Sequence, residues 1–221
     1  DCIASLGCDE FRMDDWGVDV MVAACQKGLM TPPGMAFVWF SEAARLRCGK
    51  SDLATPYWAW GARAEPEEFW QIWDGTAPTS HLYGLREALD MIHEEGMSQV
   101  WHRHRVLAGA VWAAFDCWSA GHPAIAMNVA NQLDRAHSVT AARFGAPHAT
   151  RLREWCEKKA GVTLGIGLGM AASTEPAYHG FLRVGHMGHV NAHMTLGALA
   201  VMEAGLVALD IPHGDGALAA A

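Results

Sequence analysis

An α/β protein is what this sequence predicts, from three observations. Two apolar runs of strand character lie early in the chain, at residues 18–25 and 36–40. Two stretches of helical period follow, over residues 82–92 and 98–115. Beyond His122-Pro123 the pattern reads strand, helix, strand, strand, helix.

Residues 1–6 read as the end of a parallel strand, which Gly7 breaks, and 11–16 as a short polar connection. In 18–25, Val20 and Val22 alternate as a buried strand would. Residues 27–34 form a tight turn, because Pro32-Pro33 bars helix. Residues 36–40 (AFVWF) are apolar throughout and predict a strand buried on both faces. Ser41 is placed to cap a short helix over 42–47. Residues 49–80 are the least regular portion and carry Trp58, Trp60, Trp70 and Trp73.

In the first long helix Leu82, Leu85, Ala88, Leu89 and Ile92 share a face, and Gly96 closes it. Ser98 starts the second, whose face holds Val100, Leu107, Val111 and Phe115. Later, 138–144 alternates as a strand, and 149–159 is an amphipathic helix with Leu152, Trp155 and Cys156 together. Strands at 162–166 and 181–184 precede a last helix over 192–209. The boundary at His122-Pro123 divides the chain into domains 1–120 and 121–221.

Composition narrows the function. With 51% hydrophobic and 18% charged residues, the 221-residue chain can build a sizeable core and is not disordered. A net charge of -8 gives no footprint for nucleic acid. The most apolar segment, 194–209, contains Glu203 and two glycines and falls short of a membrane span. Six cysteines at 2, 8, 25, 48, 117 and 156 form no CxxC pair and read as the reduced thiols of a cytoplasmic protein.

Lys27 is the only lysine between Asp1 and Arg45, and it follows the run 18–25. A lysine at the end of a buried strand either snorkels to water or serves as an imine-forming amine. The local pattern fits both.

The blocks around it favour the second. Asp-Cys-Ile-Ala-Ser-Leu-Gly at 1–7, Phe-Arg-Met-Asp-Asp-Trp-Gly-Val-Asp at 11–19 and Gln-Lys-Gly-Leu-Met-Thr-Pro-Pro-Gly at 26–34 come first. Gly75-Thr76-Ala77-Pro78-Thr79, Leu82-Tyr83-Gly84-Leu85-Arg86-Glu87-Ala88-Leu89 and Leu182-Arg183-Val184-Gly185-His186-Met187-Gly188 follow in order. Together they resemble the class V pyridoxal-phosphate aminotransferases, most closely the alanine–glyoxylate and serine–glyoxylate branch. The resemblance covers nearly the whole chain. It implies the fold type I architecture, with the C-terminal half of the large parallel or mixed-sheet domain followed by a small α+β domain. The family's chains are longer, so the expectation is a fragment that lacks their N-terminal part.

The resemblance also implies roles. Asp1 matches the acid that pairs with the pyridine nitrogen of pyridoxal 5'-phosphate, and Ile3 the aliphatic residue packed on one ring face. Lys27 matches the lysine that links to the cofactor and then shuttles a proton, and Gln26 a residue near the phosphate. Thr76 stands where the family sends a hydroxyl across a homodimer interface to the partner's phosphate. Trp73 replaces another aromatic, often a tyrosine, that also contacts the phosphate; an indole N–H can donate there, but with different reach. Arg183 matches the clamp on the substrate carboxylate, which a planar guanidinium holds at both oxygens. Cys25 stands where relatives commonly carry a small hydroxyl residue and is assigned no nucleophilic role.

Two other patterns point to no site. His186, His189 and His193 lie close together, and His102-Arg103-His104 adds a pair. Gly188 interrupts the first set, there is no HExxH, and no cysteine or carboxylate stands at ligand spacing, so no metal is expected. Gly165-Ile166-Gly167-Leu168-Gly169 lacks the third glycine of a dinucleotide loop.

The expected activity is transfer of an amino group from a small amino acid, serine or alanine, to a 2-oxo acid, glyoxylate or pyruvate, in a homodimer with shared active sites. Pyridoxamine–pyruvate transfer is an alternative. That branch uses an extra arginine before the carboxylate arginine, and residues 165–182 contain none. A non-catalytic half that cannot hold cofactor alone is the rival from another class.

Overall fold

The computed structural model describes residues 1–53 and 55–221. The chain falls into two compact units, Asp1–Met97 and Ser98–Ala221.

In the first unit, β1 (Val20–Ala24) pairs antiparallel with β2 (Ala36–Phe40), with Val22 opposite Val38. The inward face of β1 is the one opposite to that expected. Val20 is exposed, while Met21 and Ala23 are buried against Cys2, Leu6, Phe11 and Met13. Both parities of VMVAA are apolar, so alternation alone could not choose the face. Residues 1–6 form no strand. Cys2 N–H donates to Val22 O at 2.8 Å, and the N–H groups of Ser5 and Leu6 then fold back onto Cys2 O at 3.3 and 3.0 Å, a turn that prevents further ladder pairing. Nor is β2 buried on both faces: Val38 is 40% and Trp39 41% exposed.

Ser41 caps α1 (Glu42–Cys48) as its side chain predicts. Its Oγ accepts from Ala44 N–H at 3.1 Å and donates to Asp19 Oδ1 at 2.6 Å. The irregular stretch that follows holds only α2 (Gly61–Ala64) and a 3-10 turn at Phe69–Ile72 among the described residues. Arg63 ties this stretch together, donating to Tyr57 O and, at 2.9 Å, to Asp74 Oδ2. It leads into α3 (Thr79–Glu95), which buries Ala88 and Ile92 and ends at Gly96, whose φ of 83° suits only glycine. Leu89, expected on the inner face, is 38% exposed.

The second unit begins with α4 (Met97–Gly121), whose first residue precedes the division. The sequence reading carries this helix with the first region as a connector. Its buried face, including Val111, Phe115 and Trp118, packs in one core with Ile125, Phe144, Leu152 and Leu199 of the second unit. A four-stranded antiparallel sheet follows in the order β3-β4-β6-β5. Its strands are β3 (Ala126–Met127), β4 (Val139–Arg143), β5 (Gly165–Ile166) and β6 (Phe181–Gly185). The strand expected over 162–166 shortens to its last two residues, and β3, too short for any periodic signal, escapes sequence reasoning. The helices α5 (His148–Ala160) and α6 (Ala192–Ala208) supply the rest of the core through Leu152, Cys156, Leu199, Met202 and Leu206, and α7 (Ala217–Ala220) ends the chain. Among the described residues, no helix is long and apolar enough to cross a membrane.

Candidate active site

Lys27 sits two residues beyond the chain's buried Cys25, on the turn that joins β1 to β2, and its side chain is half-buried. The turn is closed from within. Thr31 donates to Cys25 O twice, from its N–H at 3.1 Å and its Oγ1 at 2.9 Å. The Cys25 thiol donates to Pro32 O at 3.0 Å and accepts from Met35 N–H at 3.3 Å, while Met30 N–H reaches Lys27 O at 3.0 Å. Cys25 thus ties the turn together through its thiol.

Gly28 brings this turn against the start of the chain. A Cβ there would lie 2.1 Å from Leu6 O and 3.1 Å from Cys8 Sγ, so only glycine permits the approach. With the Cys2–Val22 bond, this contact packs the segment bearing Asp1 and Ile3 beside the strand and turn that bear Lys27. Asp1 is exposed, and its Oδ1 accepts from Ile3 N–H at 2.8 Å. Ile3 is 37% exposed, and Gln26 also faces outward.

The segment with Trp73 and Thr76 enters α3. Asp74 and Gly75 between them take φ values of 55° and 151°, turning the chain sharply, and Thr76 is exposed. Trp73 is half-buried, and its indole Nε1 is a buried donor with no hydrogen-bond partner. A buried N–H left unpaired is costly, so an orphan of this kind marks a place where an acceptor fits. Sequence reasoning missed His81. This imidazole, on the first turn of α3, lies 3.0 Å from Pro33 O and so links the α3 segment to the lysine turn.

Arg183 belongs to the second unit. It sits half-buried in the middle of β6, opposite Ala141 and Gly165. Its Nε donates to Ile166 O at 2.7 Å, which orients the guanidinium plane. Its terminal nitrogens have no partner among the described residues, which leaves the two-pronged edge for an anion.

Two of the clustered histidines, His186 and His104, hold the fold together. His186 is 2% exposed; its Nδ1–H donates to His137 O at 2.9 Å, and its Nε2 accepts from Thr140 Oγ1, also at 2.9 Å. Trp112 Nε1–H in turn donates to Thr140 Oγ1 at 3.1 Å. Burial holds the imidazole neutral, with its pKa pushed down to about 4. His104, fully buried on α4, accepts from Gly188 N–H through Nε2 at 3.0 Å, which places its proton on Nδ1, 2.7 Å from Val100 O. Arg103 donates to Gly188 O and Val190 O at 2.8 and 3.0 Å. His104 and Arg103 thus fasten the Gly188 loop; no group of three or more His, Cys, Asp or Glu able to hold a metal exists among the described residues.

The family model for class-V aminotransferases matches residues 1–198. A serine–glyoxylate aminotransferase of Methylorubrum extorquens is 32% identical over 232 residues, covering 100% of this chain and 54% of its own length. The Arabidopsis thaliana serine–glyoxylate aminotransferase is 30% identical, with 100% and 53% covered. Among solved structures, the pyridoxamine–pyruvate aminotransferase of Mesorhizobium loti superposes with a TM-score of 0.84 at 23% identity, over 99% of this chain and 54% of that one. The chain spans about half the length of the relatives it matches.

Proposed function

The chain belongs to the class-V aminotransferase family, with the pyridoxal-phosphate-dependent fold, and from that premise we propose that the complete protein is an aminotransferase acting on small amino acids. The donor is serine or alanine and the acceptor glyoxylate or pyruvate. The observation that carries this reading is the Lys27 turn: an amine three residues beyond β1, on a loop closed by Cys25 and Thr31 and seated on Leu6 O through Gly28.

The family's cofactor is pyridoxal 5'-phosphate, and the residues present fit it. Trp73 Nε1 is a buried, unsatisfied donor suited to a phosphate oxygen. Asp1 uses one oxygen on Ile3 N–H, and its carboxylate can take a proton donor from a ring nitrogen. Lys27, Gln26, Ile3, Trp73 and Thr76 complete the proposed holding set. When bound, the cofactor supplies the sink for the electron pair left when the substrate Cα loses its proton.

Each remaining step belongs to the chain. The Lys27 amine would hold the cofactor covalently and, when free, would be the base placed to move the substrate Cα proton. Asp1 keeps its ring partner protonated by offering a fixed negative charge. Arg183 takes the substrate α-carboxylate on its terminal N–H groups, which sets the orientation of Cα.

We read the complete protein as a homodimer with shared sites. Thr76 is exposed, and so are Trp58 (72%), Phe69 (68%) and Trp70 (54%) in the same irregular stretch, an apolar surface of the kind that interfaces cover. The division into a large cofactor-binding region, 1–120, and a small one, 121–221, is part of this proposal.

Borohydride reduction tests the reading. Trapping on the complete protein should place the reduced cofactor adduct on Lys27, and Lys27→Ala should remove both adduct and turnover. Peptide mapping to Lys50, Lys158 or Lys159 would overturn it. For the shared site, Lys27→Ala mixed with Thr76→Ala should recover activity that neither shows alone, because one hybrid site carries neither change.

A further inference from the structure

We propose that His81 is a positioning residue for Lys27, tying the lysine turn to the segment that carries Thr76. The inference rests on the reading of Lys27 given above. The imidazole Nε2 lies 3.0 Å from Pro33 O, across 48 residues of sequence. A carbonyl only accepts, so Nε2 carries the proton and donates.

The turn has its own internal bonds at Cys25, Thr31 and Pro32, but the Pro33 carbonyl at its exit has His81 as its partner. Gly34 makes the seat. A Cβ on it would lie 2.4 Å from His81 Nε2 and 2.9 Å from Cε1, inside any allowed contact. With φ at 151°, the backbone of Gly34 is also one that side chains rarely adopt. One turn further along α3, a Cβ on Gly84 would lie 3.8 Å from Thr31 Cγ2, an ordinary contact, so the helix lies close against the turn at a second point.

On its other side, His81 belongs to the Thr76 segment. Its own N–H donates to Pro78 O at 3.0 Å, and Leu82 N–H does so at 3.1 Å, so Pro78 holds the helix start directly after Thr76-Ala77. One imidazole therefore joins two stretches of one chain on which cofactor binding is proposed to depend, the lysine turn for its own site and the Thr76 segment for the site shared with the partner. Because Cys25 and Thr31 close the turn without it, loss of His81 leaves the turn formed but frees its position relative to Thr76.

The test uses the complete protein carrying His81→Ala, His81→Gln and Gly34→Ala. The readouts are equilibrium cofactor affinity and the thermal midpoint of the cofactor-free protein. His81→Ala should weaken cofactor binding about tenfold, the loss of one hydrogen bond at the upper end of its usual worth, with the midpoint lowered by no more than a few degrees. His81→Gln, whose amide N–H can reach the same carbonyl, should restore affinity. Gly34→Ala pushes the ring off Pro33 O while retaining it and should reproduce the loss. Wild-type affinity in His81→Ala or in Gly34→Ala overturns the proposal, as does a His81→Gln variant no better than His81→Ala. Mapping of the borohydride adduct in the wild type separates the two readings. An adduct elsewhere than Lys27 defeats the proposed function, whereas an adduct on Lys27 with affinity indifferent to His81 defeats only this inference.

Discussion

Acid should weaken the second unit through His186. Its imidazole is 2% exposed, bonded to His137 O and Thr140 Oγ1, and held at a pKa of about 4 chiefly by burial, against an ordinary value near 6.5. The folded protein thus binds this proton less tightly than the unfolded chain. Stability from the neutral imidazole is fully present above about pH 6.5 and is lost as pH falls toward 4. A gap of roughly 2.5 units corresponds to about 3 kcal/mol in full, of which about 2 kcal/mol is already lost at pH 5 relative to pH 7.5. Protonation also breaks a bond, since an imidazolium Nε2 can no longer accept from Thr140. The assay compares denaturation of wild type and His186→Gln at both pH values. The amide does not titrate, so effects of distant groups cancel in the difference. Wild type should lose about 2 kcal/mol more than the variant between the two conditions. Equal losses, or an NMR titration of His186 with a midpoint near 6.5, would refute the reasoning.

Three further outcomes are expected. Gly28→Ala must move backbone, because its Cβ would stand 2.1 Å from Leu6 O; more than about 2 kcal/mol of destabilisation and loss of the Lys27 adduct should appear in denaturation and borohydride trapping. Arg183→Ala and Arg183→Lys should each lower kcat/KM for α-amino acids, by roughly 30-fold to several thousandfold for the alanine variant, with cofactor affinity kept. Amines without a carboxylate should be unaffected, and equal slowing of both donor types would count against the clamp. Ser41→Ala removes the α1 cap and the bond to Asp19, and should cost about 1 kcal/mol with faster hydrogen exchange over Glu42–Cys48.

What could be read from the sequence follows from where each decision is made. Ser41 was legible because a cap is a local bond between a side chain and the N–H three residues on. The face of α4 was legible because Val100, Leu107, Val111 and Phe115 repeat along a 25-residue helix, long enough for the period to be unambiguous. The face of β1 was not, since Val20 and Met21 are both apolar and Cys2, Leu6, Phe11 and Met13 decide the matter from elsewhere in the chain. The exposure of Trp39 on β2 likewise has no local cause, because nothing within the run distinguishes a buried apolar strand from an uncovered one. At the site, Lys27 stood out through its flanking block, whereas His81 gave no signal. Its partner Pro33 and its seat at Gly34 come together only when the chain folds.

The order of strands in the second sheet has a consequence for synthesis. β6 is made last yet lies between β4 and β5, so β5 has no neighbour in the sheet until β6 is complete. At roughly 5–20 residues per second, the interval from Ile166 to Gly185 lasts about one to four seconds on the ribosome, during which Gly165 and Ile166 present unpaired backbone. The strand that ends this exposure is the one that carries Arg183, and the Ile166 carbonyl that fixes its guanidinium is on the strand that was waiting. In this unit, β5 gains its one sheet neighbour from the same strand that places the arginine. A lesion that delays β6 should therefore be seen first as aggregation of nascent chains, before any loss of catalysis can be measured.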